Sequence, residues 1–595
     1  MTASVADAEA RKIGLFRLSL IAVLVGIATG FGAVGFRALI GFIHNAAFLG
    51  KLSYFYDANL HTSPGPWGPW IILVPVAGGM IVTLLVSHFA PEARGHGVPE
   101  VMDAIYYKEG RIRPVVAAVK SLASAISIGT GAAVGREGPI IQIGASLGST
   151  VGQIIAMAPW QRITLVAAGA GAGIAATFNT PIGGVMFAIE LMMPEVSVRT
   201  FLPVALATGT ATFIGQLFFG FAPAFHIPPM QMLPVSDVAS VEALVLYGVL
   251  GAVTGLAATA FVRGLYFFEH AFDRLANPYL RHGLGMAVVG AMIYLLMRYY
   301  GHYYVEGVGY ATIQDVLSGG LGLLGLLFLL FGAKLLATLL SLGSGASGGI
   351  FSPSLFMGAT LGGGFAALVN LTHAVPGIDV PTFATVGMAA MVGGGTGAAM
   401  TAVTMIFEMT RDYNIVMPMI VAVAISIGIR RMLSRENIYT IKLVDRGHFI
   451  PKALHANMFL VRNAADVMDR NAIVLPAETS FGEFLRRPEL AGKMQHVVVS
   501  RGDRVVGVQR VNVALGYRFE GASATLGDIM RANFTIARGE DIVFDVINRM
   551  WRQNADMAVV VSGDAAVPRA DRVIGVISKE HIADSVAESV GTYGQ

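Results

Sequence analysis

The sequence has no cysteine and few charged residues. Without cysteine, the 595-residue chain forms no disulfide bonds, and cysteine-ligated metal and redox centres are excluded. Asp, Glu, Lys and Arg make up 13% of the chain, whereas soluble domains carry about 25%. The formal net charge is only +3, and nothing in the sequence indicates nucleic-acid binding. The composition therefore favours a membrane protein and predicts neither a metal centre nor a nucleic-acid partner.

The charged residues are concentrated towards one end of the chain. Of the 79 Asp, Glu, Lys and Arg residues, 34 lie in residues 451–595 and 45 in residues 1–450. Apolar runs of about 20 residues or more, long enough to span a bilayer, recur throughout residues 15–450. We therefore predict a cytosolic N-terminal tail at 1–14, an all-α polytopic membrane domain at 15–450 and a water-soluble tail after it.

The apolar part of the chain contains an internal repeat. Residues 120–148 and 334–362 align at a constant offset of 214 with 13 identities in 29 positions, and six of these are Gly or Pro. A helix break at membrane depth is tolerated only where the freed backbone is buried or lines a cavity. Two related halves, about 15–230 and 231–450, with breaks at matching positions indicate a binding site between them. The sequence leaves open whether the halves are parallel or inverted.

Three glycine-rich turns stand out, GHGVPE at 95–100, GREGP at 135–139 and GSGASGGIFSP at 343–353. The second and the third each lead through proline into a new apolar segment. Proline is well placed in the first turn of a helix, and a helix start carries unpaired N–H groups and about half a positive charge. Helix starts that face each other bind an anion without a buried Lys or Arg, and partial charges let the anion leave again. The turns therefore predict an anion pathway.

Glu137 is an ionisable residue in apolar surroundings. From Ile141 to Ile189 the only charged residue is Arg162. The Glu137 carboxylate can occupy an anion site as a tethered competitor. It would exclude a bound anion, because two like charges about 4 Å apart repel by roughly 4 kcal/mol at an effective dielectric of 20. Protonation or an incoming anion is then expected to displace it, which predicts gating by pH, anion concentration or voltage. The alternative is a structural ion pair with Arg136.

The three turns, followed by Tyr439 near the end of the apolar part, stand in the order typical of the CLC family of chloride channels and chloride/proton exchangers. The chain resembles this family over nearly the whole apolar part. The resemblance implies an inverted-repeat fold of about 18 helices and a homodimer with one pore per subunit. It implies chloride and other small anions as substrates, with no cofactor. A rival class, an intramembrane enzyme with Ser344 as nucleophile, is disfavoured because no HExxH sequence or obvious histidine partner is present.

The resemblance also implies roles for individual residues by their positions in the motifs. It implies that Glu137 is the gating residue and that the anion-binding residues are His96, Gly97, Arg136, Gly138, Ile350, Phe351 and Tyr439. The remaining residues of the selectivity motifs are Gly95, Val98, Pro99, Gly343, Ser344 and Gly345. For Ile350 and Phe351 the expected ligands are backbone N–H groups, and for Tyr439 the expected ligand is the hydroxyl.

His96 departs from the family pattern, which usually has serine at this position. A neutral imidazole donates one N–H group to an anion, and a protonated one adds a positive charge near pH 6.5. The alternative is that the His96 side chain turns away and only backbone N–H groups contact the anion. Selectivity among chloride, nitrate and fluoride is therefore left open.

The segment ending at Glu190 and Leu191 also departs from the family pattern. Proton-coupled members usually carry two glutamates here, and the second is the inner proton acceptor. Glu190 matches the first glutamate, and it is weakly echoed by Glu408 in the second half, whereas Leu191 replaces the second. Leucine carries no proton, so we predict a gated chloride channel. The alternative is a chloride/proton antiporter in which Glu190 or His96 substitutes for the missing carboxylate.

The soluble tail contains a second repeat. The sequence VVVS occurs at 497–500 and again at 559–562, an offset of 62. Each unit alternates short Val-rich runs, which indicate buried strands, with amphipathic segments. This duplicated α+β pattern resembles a pair of CBS domains, at 451–520 and 521–595.

Some CBS pairs bind adenine nucleotides through an acidic residue near the end of the last strand. The matching positions here hold Asn512 and His581, so a nucleotide site is doubtful, and a dimerisation and gating scaffold is the favoured alternative. The basic residues Arg430, Arg431 and Arg435 precede the tail and agree with the positive-inside rule. We therefore predict an integral protein of the plasma or inner membrane, with both termini cytoplasmic.

Overall fold

The chain divides into two compact units, Met1–Ile450 and Pro451–Gln595. The change in charge density noted in the sequence falls at the same boundary. The computed structural model describes residues 12–225, 238–372, 378–450, 458–487, 496–511, 524–563 and 569–583.

The described part of the first unit is built from α-helices. Its first half contains α1 (Leu15–His44), α2 (Leu73–Phe89), α3 (Val98–Tyr107), α4 (Val115–Gly129), α5 (Glu137–Ile154), α6 (Pro159–Phe178), α7 (Pro181–Phe187) and α8 (Val198–Phe219). Its second half contains α9 (Val238–Asp273), α10 (Pro278–Tyr300), α11 (Tyr310–Leu317), α12 (Leu324–Ser344), α13 (Phe351–Thr372), α14 (Val380–Thr396), α15 (Ala399–Thr410), α16 (Val416–Leu433) and α17 (Thr440–Asp445). These 17 helices of the described residues match the predicted all-α class.

Eight helices of the described part are long and apolar enough to cross a membrane. They include α1, whose exposed side chains are largely apolar, for example Leu20, Leu24 and Phe31. Apolar side chains that face outwards are stable in lipid and costly in water. Several other helices are short because glycine and proline interrupt the apolar runs, and their ends lie inside the protein.

Corresponding helices in the two halves pack through the same glycine contacts. In the first half, a Cβ atom on Gly144 of α5 would lie 2.1 Å from the carbonyl oxygen of Gly169 in α6. In the second half, a Cβ atom on Gly358 of α13 would lie 2.4 Å from the carbonyl oxygen of Gly387 in α14. Small residues let the helix backbones touch, which is the usual way that membrane helices pack. The repeat is therefore a repeat of helix pairs as well as of sequence.

In the described residues of the second unit there are two three-stranded sheets with the same topology. The strands are β1 (Ala472–Pro476), β2 (His496–Arg501), β3 (Arg504–Arg510), β4 (Phe534–Arg538), β5 (Met557–Val561) and β6 (Val573–Ser578). In each sheet the first strand is parallel to the second, and the second is antiparallel to the third. The accompanying helices are Ala464–Val467, Phe481–Leu485, Leu526–Ile529 and Val543–Arg552.

The two sheets of the second unit share one apolar core. Val498 and Val508 of the first sheet pack in the same buried cluster as Val559 and Val576 of the second. Buried and exposed side chains hardly alternate along β2 and β5, because both faces of these strands are covered. This is the duplicated α+β arrangement that the sequence predicts.

Candidate functional site

Two of the predicted turns are in direct contact. The Gly135 N–H donates to the Gly349 carbonyl at 2.7 Å, and the Gly349 N–H donates to the Gly135 carbonyl at 2.5 Å. A Cβ atom on Gly349 would lie 2.7 Å from the backbone nitrogen of Gly138. Glycine is therefore required for the backbones to approach this closely. The exchange of hydrogen bonds places the starts of α5 and α13, at Glu137 and Phe351, around one point.

The turn before α3 joins the same centre. The Gly95 N–H donates to the Ala346 carbonyl at 3.1 Å, and the Gly95 carbonyl accepts from the Gly348 N–H at 3.2 Å. Gly97 lies directly before α3 with a φ angle of +81°, a conformation that favours glycine. Val98 and Pro99 form the first turn of α3 and are buried.

A fourth helix start, that of α11, was missed by the sequence analysis. Gly307 and Gly309 correspond to Gly95 and Gly97 at an offset of 212, so Tyr310 begins α11 where Val98 begins α3. The sequence signal is a Gly-x-Gly pair that repeats at an offset of 212, two residues less than the offset of 214 in the main repeat. It is too short to be convincing without the structure.

Two buried lysines related by the repeat hold the turns before α3 and α11. The Lys120 ammonium donates to the carbonyls of Ala93 and Gly95 at 3.0 and 2.7 Å. The Lys334 ammonium donates to the carbonyls of Val305 and Gly307 at 2.9 and 2.8 Å. Both lysine residues are fully buried. Each lysine therefore fixes one turn beside the centre.

The Glu137 carboxylate lies at the start of α13. It is fully buried. Its Oε2 accepts from the Ser352 N–H at 3.2 Å, and its Oε1 accepts from the Tyr310 hydroxyl at 2.6 Å and from the Ser352 hydroxyl. A helix start with free N–H groups favours a negative charge at this place. The Glu137 side chain, at the start of α5, thus occupies the anion-binding position at the start of α13.

Ser352 and Tyr310 were not among the predicted site residues. Ser352 lies inside the third motif, so its hydroxyl could have been considered from the sequence. Tyr310 comes from the fourth helix start, and only the displaced Gly-x-Gly pair could have pointed to it.

Arg136 does not form the alternative ion pair with Glu137 in the described part of the chain. Its guanidinium lies 5.0 Å from the centroid of the Tyr310 ring, a cation–π contact. Its Nε atom is buried and has no hydrogen-bond partner among the described residues. Arg136 therefore packs against the tyrosine that binds Glu137 and leaves the carboxylate to Tyr310 and Ser352.

His96 and Tyr439 lie side by side in the interior. Both are 1% exposed, and their ring centroids are 5.7 Å apart. The Nδ1 atom of His96 has no hydrogen-bond partner among the described residues. A buried polar atom without a partner costs free energy of about 1–3 kcal/mol, so this nitrogen is available to a ligand.

Ile350 and Phe351 are buried at the start of α13, and the Phe351 ring lies 5.6 Å from the Phe178 ring. They therefore belong to the same centre. Gly343 and Ser344 form the last turn of α12, where the Ser344 hydroxyl donates to the Ser341 carbonyl at 3.2 Å.

Gly345 follows α12 with a φ angle of +134°, which lets the chain leave the helix. The contacts of the 343–345 segment are thus those of a helix end, and the predicted selectivity role finds no support in them. The serine that reaches the turn before α3 is Ser347, whose hydroxyl donates to the Ala93 carbonyl at 2.7 Å.

Glu190, which follows α7, caps the start of α15, and Glu408, which lies in α15, caps the start of α7. The Glu190 carboxylate accepts from the Thr401 N–H and the Thr401 hydroxyl, both at 2.8 Å, at the start of α15. The Glu408 carboxylate accepts from the N–H groups of Ile182 and Gly183 at 3.0 and 2.7 Å, at the start of α7. The weak echo between these glutamates therefore reflects reciprocal helix capping.

Leu191 lies next to Glu190 in a π-helical turn at Ala188–Met192 and is 9% exposed. Because Glu190 is held as a cap, the structure gives it a structural role, and the neighbouring position provides no carboxylate.

The last segment of the membrane unit is bound to α3. The Arg446 guanidinium donates twice to the Glu100 carboxylate, at 2.6 and 3.0 Å. The His448 Nδ1 lies 2.5 Å from Asp103, and the His448 ring stacks on Tyr107 with centroids 4.0 Å apart. The segment following α17 therefore binds α3 from its first turn, at Glu100, to its last turn, at Tyr107.

Comparison with known proteins identifies the family. The voltage-gated chloride channel family model matches residues 78–431, more than half of the chain. The chain belongs to the CLC family. A relative named H(+)/Cl(-) exchange transporter ClcA, from Yersinia pseudotuberculosis serotype IB (strain PB1/+), is 31% identical over 412 residues, which cover 68% of this chain and 82% of the relative. The same-named protein of Salmonella arizonae is 31% identical over 410 residues, covering 68% and 83%.

Solved structures with CLC folds resemble the chain. A slow cyanobacterial Cl−/H+ antiporter has a TM-score of 0.63 and 25% identity, covering 72% of this chain and 98% of that one. A eukaryotic CLC transporter has a TM-score of 0.60 and 18% identity, covering 95% and 98%; at this identity it shows the fold alone. The predicted fold class is confirmed, and this CLC protein is an integral membrane protein whose family supports chloride transport. The two relatives and the cyanobacterial protein are named as exchangers, so the antiporter alternative is favoured over the channel prediction.

Proposed function

We propose that this CLC protein exchanges chloride for protons and that Glu137 competes with chloride and carries the proton. The observation on which the proposal mainly rests is the buried Glu137 carboxylate, held at the start of α13 by Tyr310 and Ser352. Relatives that are 31% identical over two thirds of the chain are named exchangers, which supports proton coupling.

The proposed cycle follows from charge exclusion. Chloride and the Glu137 carboxylate cannot share the start of α13, because like charges about 4 Å apart repel by roughly 4 kcal/mol. Protonation removes the charge of Glu137, and the Ser352 N–H and the other N–H groups of the helix start become free for chloride. When chloride leaves, the Glu137 carboxylic acid releases its proton to water, and the resulting carboxylate returns to the donors.

The deeper anion position is proposed to lie between the starts of α3 and α13. Its ligands are the Nδ1 of His96, the N–H groups of Ile350 and Phe351, and the hydroxyl of Tyr439. The unpartnered His96 nitrogen supports this assignment, because a neutral imidazole can donate to an anion. Gly97 and Gly138 are proposed to keep the backbones close, and Arg136 to attract anions.

A gated chloride channel is the second candidate, and Leu191 is the observation that favours it. Leucine takes the position of the inner proton acceptor, and the adjacent Glu190 is held as a cap. In this case Glu137 would act as a gate alone.

Flux measurements in liposomes separate the two candidates. For an exchanger, a chloride gradient drives uphill proton movement, and the reversal potential shifts with a pH gradient. For a channel, the reversal potential follows chloride alone. Glu137→Gln is expected to abolish proton movement while chloride flux continues and loses its pH dependence. If Glu137→Gln leaves proton movement and pH dependence unchanged, the proposed role of Glu137 is wrong.

The assembly and orientation are also proposals. We propose a homodimer with one pore in each subunit, with both termini cytoplasmic, supported by the basic residues Arg430, Arg431 and Arg435. The second unit is proposed to be a CBS pair that acts as a scaffold. Asn512 lies outside the described residues, and the His581 Nδ1 lies 3.0 Å from the Ser578 hydroxyl; neither position supplies a carboxylate for a nucleotide ribose.

A further inference from the structure

A second buried carboxyl oxygen lies close to the site in the turn before α11. Glu306 stands four residues before Tyr310. The Thr62 hydroxyl donates to its Oε1, while its Oε2 is buried and has no hydrogen-bond partner among the described residues. An unpartnered buried oxygen is a poor place for a full negative charge but suits the hydroxyl group of a protonated acid.

A series of polar and titratable groups runs from Glu306 towards the protein surface, in which Thr62 and His61 are linked only as neighbours in the chain. The Thr62 hydroxyl that binds Glu306 also lies 3.0 Å from the Nε2 of His44. The adjacent residue, His61, has its Nε2 2.7 Å from the Asp315 carboxylate. The side chains of His61 and Asp315 are 17% and 40% exposed, so this end of the series meets water.

The charged and titratable groups around Glu306 come from several elements. They are His44 of α1, Tyr56 and His61 of the connection between α1 and α2, Tyr303 of its own turn, Lys334 of α12 and Asp315 of α11. Burial raises the pKa of the Glu306 carboxyl to about 7, while the Thr62 hydroxyl, His61 and Lys334 oppose the rise. The carboxyl therefore keeps its proton to higher pH than an ordinary glutamate does.

The turn that carries Glu306 also reaches Glu137. Lys334 donates to the carbonyls of Val305 and Gly307, on either side of Glu306. Three residues further on, the Tyr310 hydroxyl donates to Glu137. Glu306 and the Tyr310 that binds Glu137 therefore lie within one five-residue segment, 306–310, and Glu306 contacts the connection between α1 and α2.

We propose that Glu306 is a second proton-binding carboxyl, which takes protons from the side of the membrane where α1 ends and passes them to Glu137. In the step, the Glu306 acid loses its proton and becomes a carboxylate, and the Glu137 carboxylate gains the proton and becomes neutral. Water on that side restores the proton through the His61 and Asp315 end of the series. The inference rests on the proposed exchange function.

The test measures coupled transport in liposomes while pH is varied on one side at a time. Glu306→Gln keeps the shape of the side chain but binds no proton, so we expect loss of the response to pH on the α1–α2 side. Thr62→Val removes the hydroxyl that lowers the proton affinity of Glu306, so we expect the same response to shift to higher pH. Asp412→Asn is the matched control: it removes a carboxylate next to Arg411, which bonds the 221–224 segment that Asn59 of the α1–α2 connection also contacts, and its hydrogen bond from the Asn414 N–H can be kept.

The outcomes separate this inference from the exchange function. If the unmodified protein shows a reversal potential set by chloride alone, the exchange function fails. If the protein exchanges protons but Glu306→Gln responds to pH on the α1–α2 side as the unmodified protein does, the role of Glu306 is overturned. Should Glu306→Gln fail to fold, Thr62→Val decides, because an unshifted response in that variant contradicts the proposal equally.

Discussion

The two halves of the membrane unit share a scaffold but differ in chemistry. Lys120 and Lys334 hold equivalent turns, and Gly135 and Gly349 bind each other as equivalent residues. At the equivalent helix starts, however, the first half has Glu137 and the second has a phenylalanine. The duplicated scaffold therefore supplies converging helix starts. The residue at the start of α5 is the carboxylate Glu137, and the residue at the start of α11 is Tyr310, which binds it.

The comparison predicts that scaffold glycines matter equally in the two halves. Gly144→Ala and Gly358→Ala each place a methyl group within 2.4 Å of a backbone carbonyl oxygen, and overpacking of this kind costs about 1–3 kcal/mol or more. We expect both variants to lose most of their folded protein, measured by yield of monodisperse protein in detergent. Gly332→Ala, with open space around it, is the control. A large loss in only one of the two halves would contradict the shared scaffold.

The reciprocal caps should also behave as a pair. Glu190→Ala and Glu408→Ala each remove an acceptor from a helix start, which costs about 0.5–2 kcal/mol. We expect similar decreases in thermal stability and an unchanged ratio of protons to chloride in flux measurements. Each variant serves as the control for the other. A changed ratio in Glu190→Ala alone would show that Glu190 carries protons and is more than a cap.

The chemical difference between the halves can be tested at Tyr310, which begins α11 where valine begins α3. Tyr310→Phe removes one hydrogen bond to the Glu137 carboxylate, worth about 1–1.5 kcal/mol or on the order of tenfold. We expect chloride to displace the carboxylate at lower concentration, measured from the dependence of flux on chloride. Tyr413→Phe, at a side chain 78% exposed, should leave this dependence unchanged. An unchanged dependence in Tyr310→Phe would mean that the hydroxyl does not hold the gate.

The smallest expected effect concerns the two halves of the tail. Burial lowers the pKa of His496, while its hydrogen bond to Asp469 opposes this. The unfolded chain therefore binds more protons below about pH 6.5, so stability falls as the pH drops below that value. We expect hydrogen exchange in the full-length protein to show that β1–β3 lose protection on acidification more than β4–β6. His496→Asn should reduce this difference, and equal loss in both sheets would contradict the assignment.

Much of the membrane scaffold could be predicted from the sequence because Gly and Pro mark helix breaks directly. The starts of α5 and α13 at Glu137 and Phe351 fall inside the predicted turns. Ser352 lies inside a predicted motif, but its hydrogen bonds to the Glu137 carboxylate and those of Tyr310 could not be predicted, because hydrogen bonds between distant segments depend on side-chain directions that a repeat does not encode. For the same reason the contacts of Ser344 and the capping role of Glu190 became visible only in three dimensions.

The attachment of α3 to the segment after α17 has a mechanical consequence. The segment contacts α3 at Glu100 in its first turn, at Asp103 in its middle and at Tyr107 in its last turn. Because these contacts run along the whole helix, α3 and the segment are expected to move together. A displacement of residues 446–448 is therefore expected to carry His96, two residues before the start of α3, by a comparable distance.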